Sequence, residues 1–120
     1  MRVVVVGPCA SGKTTLVGNL RALGIDAHNV AQEHSGIRRL WEKKQPDVVI
    51  MLDANMPAIL KRREVYWGEE RLVMQRERLR DARLNAHLYI QTDRLGQQQV
   101  LNVAVAYIGG VQCTCQLTPG

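Results

Sequence analysis

Three observations predict an α/β domain, a three-layer α/β/α arrangement in which a parallel sheet of about four strands is flanked by helices. Residues 2–6 read Arg-Val-Val-Val-Val, a β-branched run with no polar face, which is the pattern of a strand covered on both sides. Apolar runs of this kind alternate with segments of helical periodicity, so successive strands must be joined by crossovers. Aromatic residues make up 4% of the chain and Phe is absent, which leaves Val, Leu, Ile and Ala to build the core. With 120 residues, 46% apolar and 22% charged, the chain has the size and composition of one domain over 1–120, without room for a second.

The elements follow in order. After the strand at 2–6 and a glycine-rich turn, Leu16, Val17, Leu20 and Leu23 recur at helical spacing, and Gly24 stands where a left-handed cap belongs. A helix over 13–23 is predicted. Residues 25–31 alternate more weakly, as an edge strand does, and deliver Gln32, Glu33 and His34 at its end. Ser35 caps a short helix through Ile37, Leu40 and Trp41 that Pro46 ends. Residues 47–53, Asp-Val-Val-Ile-Met-Leu-Asp, form a third, buried strand. Asn55 and Pro57 open a helix through Ile59 and Leu60 toward Glu64, which Tyr66-Trp67-Gly68 interrupts. A further helix over 69–85 carries its apolar stripe at Leu72, Leu79, Ala82 and Ala86, with Arg76, Arg80 and Arg83 on an adjacent face. Residues 87–91 are the fourth strand. Leu95 and Gly96, with Gln99 and Val100, form a staple and capping box for a last helix, expected to end at Gly109-Gly110 and to leave 110–120 as a flexible tail.

The formal charge is +5 and the isoelectric point near 9.5. Between 61 and 83, eight basic residues face five acidic ones, a balance suited to an anionic ligand, whether nucleotide phosphates or a polynucleotide backbone. The opening apolar run is too short for a signal or a membrane span, and three cysteines, Cys9, Cys113 and Cys115, are too few for a disulfide scaffold. A cytoplasmic, reduced protein without a membrane segment is expected. Cys113 and Cys115 alone lack the further ligands that a closed zinc site needs.

The chemistry concentrates at Gly7-Pro8-Cys9-Ala10-Ser11-Gly12-Lys13-Thr14, which satisfies G-x-x-x-x-G-K-[ST] directly after a buried strand and directly before an amphipathic helix. This is a P-loop. Backbone N–H groups there, with those of Thr14 and Thr15 at the positive end of the helix, converge on phosphate oxygens. Lys13 reaches the β- and γ-phosphates of a nucleoside triphosphate, and the Thr14 hydroxyl is a ligand for Mg²⁺. Asp53 ends an apolar strand, either as a second Mg²⁺ ligand or as a cap. Glu33 lies past the second strand, at the sheet edge where ligands bind in open α/β folds, and is a candidate to orient an acceptor hydroxyl or hold a metal-bound water. Arg62, Arg63, Arg76, Arg80 and Arg83 offer planar, permanently charged donors for a transferring phosphoryl group. Trp67 could stack on a base or pack on the sheet.

On these residues the chain resembles the P-loop small-molecule kinases, the group of adenylate, shikimate and gluconate kinases. Residues 3–14 are similar to their G-P-P-G-S-G-K-[ST] opening, 49–63 to an L-D-A…R-R strand and helix, and 87–107 to a closing I-D-T…V-x-x-V segment. The resemblance implies ATP as donor, Lys13 and Thr14 on its phosphates and Mg²⁺, and a lid-like Arg-rich region at about 61–86. Ala10 stands where these kinases commonly carry Gly, and only 35–46 separate the second and third strands, so a shortened form without a separate acceptor domain is implied. The leading expectation is a Mg²⁺-dependent ATP phosphotransferase acting on a small acceptor such as a nucleoside, nucleotide or sugar-like compound. An ATPase module serving a partner, and a nucleic-acid-associated kinase without a recognised binding motif, are the alternatives. A homo-oligomer that shares a lid or covers an edge strand stays open.

Overall fold

The computed structural model describes residues 1–8, 11–54 and 69–117, with the backbone alone for 69 and 111–117. The helix expected from Asn55 and Pro57, its interruption at Tyr66-Trp67-Gly68, and Arg62 and Arg63 lie outside the described residues. Four strands, β1 (Arg2–Val6), β2 (Asp26–Asn29), β3 (Val48–Asp53) and β4 (Leu88–Gln91), form one parallel sheet in the order β2-β1-β3-β4. The register pairs Val4 with His28 on one side and with Val49 on the other, and Met51 with Tyr89. The α/β fold expected from the sequence is therefore present, with β2 at an edge as its broken alternation implied.

The helices are α1 (Lys13–Ala22), α2 (Glu69–Arg78), α3 (Arg80–Asn85) and α4 (Gln97–Leu117), and 3₁₀ turns occupy Gln32–His34 and Leu40–Lys44. One face of the sheet buries Val3, Val5, Ile50, Leu52 and Ile90 against Leu16, Val17 and Leu20 of α1 and Val100, Ala104 and Ile108 of α4. The other buries Val4, Val6, Val49 and Met51 against Val30, Trp41, Leu79 and Ala82. Alternate residues of each strand serve opposite faces, which is why β1 is apolar after Arg2 and β3 is apolar up to Asp53. The chain leaves β1 over the α1 face to reach β2, then returns over the opposite face to β3. Direction and face reverse together, so both crossovers have the same hand. The connections from β1 and from its neighbour β3 therefore depart to opposite faces, and a crevice opens between them at the carboxyl edge of the sheet.

Three boundaries differ from expectation. The helix predicted over 69–85 is two, because the Leu79 N–H is shared between the carbonyls of Gln75 (3.1 Å) and Arg76 (3.2 Å). That tightened turn aligns Leu79 with Ala82, three residues on, and lets both enter the same core face. The last helix does not stop at Gly109-Gly110 but runs to Leu117, so 110–117 is helical rather than a tail. Each interior glycine costs about 1 kcal/mol relative to Ala, and the docked stripe of Val100, Ala104 and Ile108 carries the helix through them. Ser35 makes a local turn, its Oγ accepting from the Ile37 N–H (3.0 Å), and the short helix it was expected to cap begins only at Leu40. At α4 the Gly96 N–H donates to Gln99 Oε1 at 2.8 Å, the half of the expected capping box that a glycine can make.

Candidate functional site

Each strand aims its C-terminal end at the same edge, where Gly7 follows β1 and packs against Leu52 of β3. A Cβ on Gly7 would lie 2.4 Å from the Leu52 carbonyl oxygen and 2.8 Å from Ser11 Oγ, so only glycine lets the loop turn this closely over β3. Gly12 adopts φ 101°, a left-handed conformation open to glycine, and is the N-cap of α1. Among the described residues no side chain caps this helix, and no acid sits in its first turn. The donors and the positive end of the macrodipole therefore stay open, in an arrangement that favours negative charge. Cys9 and Ala10 lie outside the described residues; Pro8, Ser11, Gly12, Lys13, Thr14 and Thr15 all line a cavity of about 560 Å³.

Asn29, Ala31 and Glu33, from the end of β2, form a second wall of this cavity, and Thr92, Leu95, Gly96, Gln97 and Val100, between β4 and the start of α4, form a third. Thr92 Oγ1 donates to the Asp53 carbonyl (3.0 Å), fixing the end of β4 to the end of β3. Lys13 Nζ donates to the Gly7 carbonyl at 2.6 Å and forms an ion pair with the Glu33 carboxylate, in which the carboxylate is buried and the lysine largely so. Glu33 is 2% exposed, and its Oε1 has no hydrogen-bond partner among the described residues. A buried carboxylate oxygen of this kind points to a ligand. On the same cavity, Thr14 Oγ1 accepts from Asn29 Nδ2 at 3.1 Å, which fixes the hydroxyl toward the β2 wall.

Of the described residues singled out from the sequence, Pro8, Ser11, Gly12, Lys13, Thr14, Thr15 and Glu33 come together on the cavity, and Asp53, Arg76, Arg80 and Arg83 do not line it. Asp53 shares the face of Val49 and Met51, away from the α1 side, and both its oxygens are engaged: Oδ1 accepts from the Ala54 N–H (2.9 Å) and Arg76 (3.4 Å), Oδ2 from Tyr89 Oη (2.6 Å). Among the described residues the carboxylate that lines the cavity with Thr14 is that of Glu33, and Asp53 ties the end of β3 to Arg76 and Tyr89. Burial and the Asp53 carboxylate push the Tyr89 hydroxyl up to about 12. Arg83 stacks on the Tyr89 ring, 5.3 Å from its centroid, and Arg80 is exposed on α3; neither they nor Arg76 line the cavity. Gln32 is a buried structural tie, its amide donating to the carbonyls of Ile37 (2.6 Å) and Arg78 (3.3 Å) and its Oε1 accepting from the Trp41 N–H (3.2 Å). Partial burial, then Lys13, Arg78 and Arg71, hold the His34 imidazole below its usual range.

Sequence reasoning missed Asn29, Leu95 and Gln97. Their common signal is position, since each lies just before or after the carboxyl end of a parallel strand. Among the described residues no three His, Cys, Asp or Glu side chains gather as a metal cage. Mg²⁺ does not need one, because it keeps water and substrate oxygens and takes one or two protein ligands. The unpartnered Glu33 oxygen and the oriented Thr14 hydroxyl on one cavity fit it. Among the described residues no helix is long and apolar enough to cross a membrane. The chain matches no protein-family model, and no curated protein is similar to it.

Proposed function

We propose that the chain is a small Mg²⁺-dependent phosphotransferase that takes ATP as donor and moves its γ-phosphate to a small acceptor, in the cytoplasm where nucleotides and reduced thiols reside. The observation that carries this reading is the uncapped N-terminus of α1 opening, with Lys13, Thr14 and Glu33, onto one cavity at the carboxyl edge of the sheet. Its volume, about 560 Å³, is within the range of small-molecule sites.

In this reading the N–H groups at the start of α1 bind the phosphate oxygens and Lys13 places its ammonium on the terminal phosphates. Leu95 and Val100 offer an apolar wall and Gln97 an amide at the far side of the cavity, suited to a base. Thr14 and Glu33 would hold Mg²⁺, which when bound offsets phosphate charge. Asn29 keeps the Thr14 hydroxyl oriented. The Glu33 wall adjoins the terminal-phosphate end, where an acceptor hydroxyl would be positioned.

Titration calorimetry with Mg·ATP tests the binding half. Lys13→Ala, its fold verified by circular dichroism, should bind at least about tenfold more weakly, a loss of about 1.4 kcal/mol. Unchanged affinity would falsify the assignment. An acceptor screen by ATP consumption tests the transfer half, with no acceptor and single-stranded oligonucleotide as controls. Consumption without any acceptor would instead mark an ATPase module, and stimulation by oligonucleotide alone a nucleic-acid substrate.

A further inference from the structure

We propose that Glu33 makes this site take a nucleoside triphosphate and a divalent cation as one unit, because the cation replaces the Lys13 ammonium that Glu33 now holds. The inference rests on the phosphate-binding reading above and adds a specificity to it. Lys13 is directed onto the Gly7 carbonyl and the Glu33 carboxylate. A lysine that turns to phosphates gives up that carboxylate. Glu33, at 2% exposure, is then a buried anion, with Oε1 already lacking a hydrogen-bond partner among the described residues.

Among the described residues, Lys13 is the cation paired with the Glu33 carboxylate. Arg78 donates to the backbone carbonyl of Glu33 (3.3 Å). Among the described residues, Glu33 is the one acid that lines the cavity. Bare triphosphate would bring several negative charges toward this carboxylate and remove its counter-ion at once, an arrangement that a buried charge resists strongly. A divalent cation held by Thr14 and Glu33 would reverse the sign of that interaction. Glu33 is thus a gate on ligand charge, excluding bare nucleotide as well as favouring the metal complex.

The test compares two ligands on two proteins. Calorimetry measures the affinity for ATP with excess Mg²⁺ and for ATP with EDTA, in the wild-type chain and in Glu33→Gln, which keeps the shape and removes the charge. The wild type should bind bare ATP at least about 100-fold more weakly than Mg·ATP, as expected where a buried charge loses its partner. In Glu33→Gln bare ATP should bind more tightly than in wild type, and the ratio should shrink to about tenfold or less. Equal ratios in the two proteins overturn the inference and leave the phosphate site standing. No binding of either ligand by the wild type overturns both. Wild-type protein alone supplies a second measurement should Glu33→Gln fail to fold: tripolyphosphate should raise the melting temperature with Mg²⁺ and not with EDTA, and equal shifts overturn the inference.

Discussion

At the scale of single residues, Lys13 and Glu33 carry charge into a place where neither would be stable alone. Removing one member of a buried ion pair costs about 3 kcal/mol or more, because the other is left charged and dry. Lys13→Ala should therefore destabilise the nucleotide-free protein by about that amount, and Lys13→Ala with Glu33→Gln should recover most of the loss. Urea melts of the single and double variants check this; equal stabilities of the two would show that the pair contributes nothing. The glycines of the loop separate by a different argument. Gly7→Ala sets a methyl 2.4 Å from the Leu52 carbonyl, so β3 or the loop must shift, and a loss of about 3 kcal/mol is expected. Gly12→Ala meets no atom within 4 Å, and its cost is confined to the left-handed conformation, about 1 kcal/mol. Denaturant titration should rank the two in that order.

Among elements, the β3–β4 pair ties the sheet edge together through Tyr89 and Asp53, and its chemistry is open to titration. A hydroxyl whose folded value is raised stays neutral while the unfolded chain ionises. Tyr89 thus contributes stability that is complete below 10.0 and is lost as the pH rises toward about 12. Tyrosinate absorbance, with Tyr89→Phe as the reference that assigns the signal, should show its ionisation near the upper value, and Asp53→Asn should bring it down. Native-state ionisation at the ordinary value would mean that Asp53 and Tyr89 are apart. The same strand shows what the sequence made legible. Val49, Met51 and Asp53 alternate with Ile50 and Leu52, so the face of Asp53 was readable from the period of two, whereas its engagement by Arg76 and Tyr89 depends on elements far along the chain. The loop was legible because its chemistry is local. Glu33 was readable as a sheet-edge acid, but its burial arises from α2, whose Arg78 contacts the 3₁₀ turn.

On the scale of the whole molecule, the cavity joins parts that the chain brings from three places: the end of β1 with α1, the end of β2, and the start of α4. These parts adjoin only in the folded sheet, so a ligand that fills the cavity binds the native state and not the unfolded chain. Ligand at about 100 times its dissociation constant should add about 2.7 kcal/mol. For a domain of this size that corresponds to a rise in melting temperature of about 10 °C. Differential scanning calorimetry across a series of Mg·ATP concentrations should show the midpoint climbing logarithmically after saturation, which a ligand attracted only to the basic surface would not produce. Salt separates the two cases further, since the surface attraction of a +5 chain is screened while the cavity contacts are partly shielded from solvent. A rise that vanishes at moderate ionic strength would place the nucleotide on the surface, and one that persists there while Lys13→Ala abolishes it would place the nucleotide in the cavity.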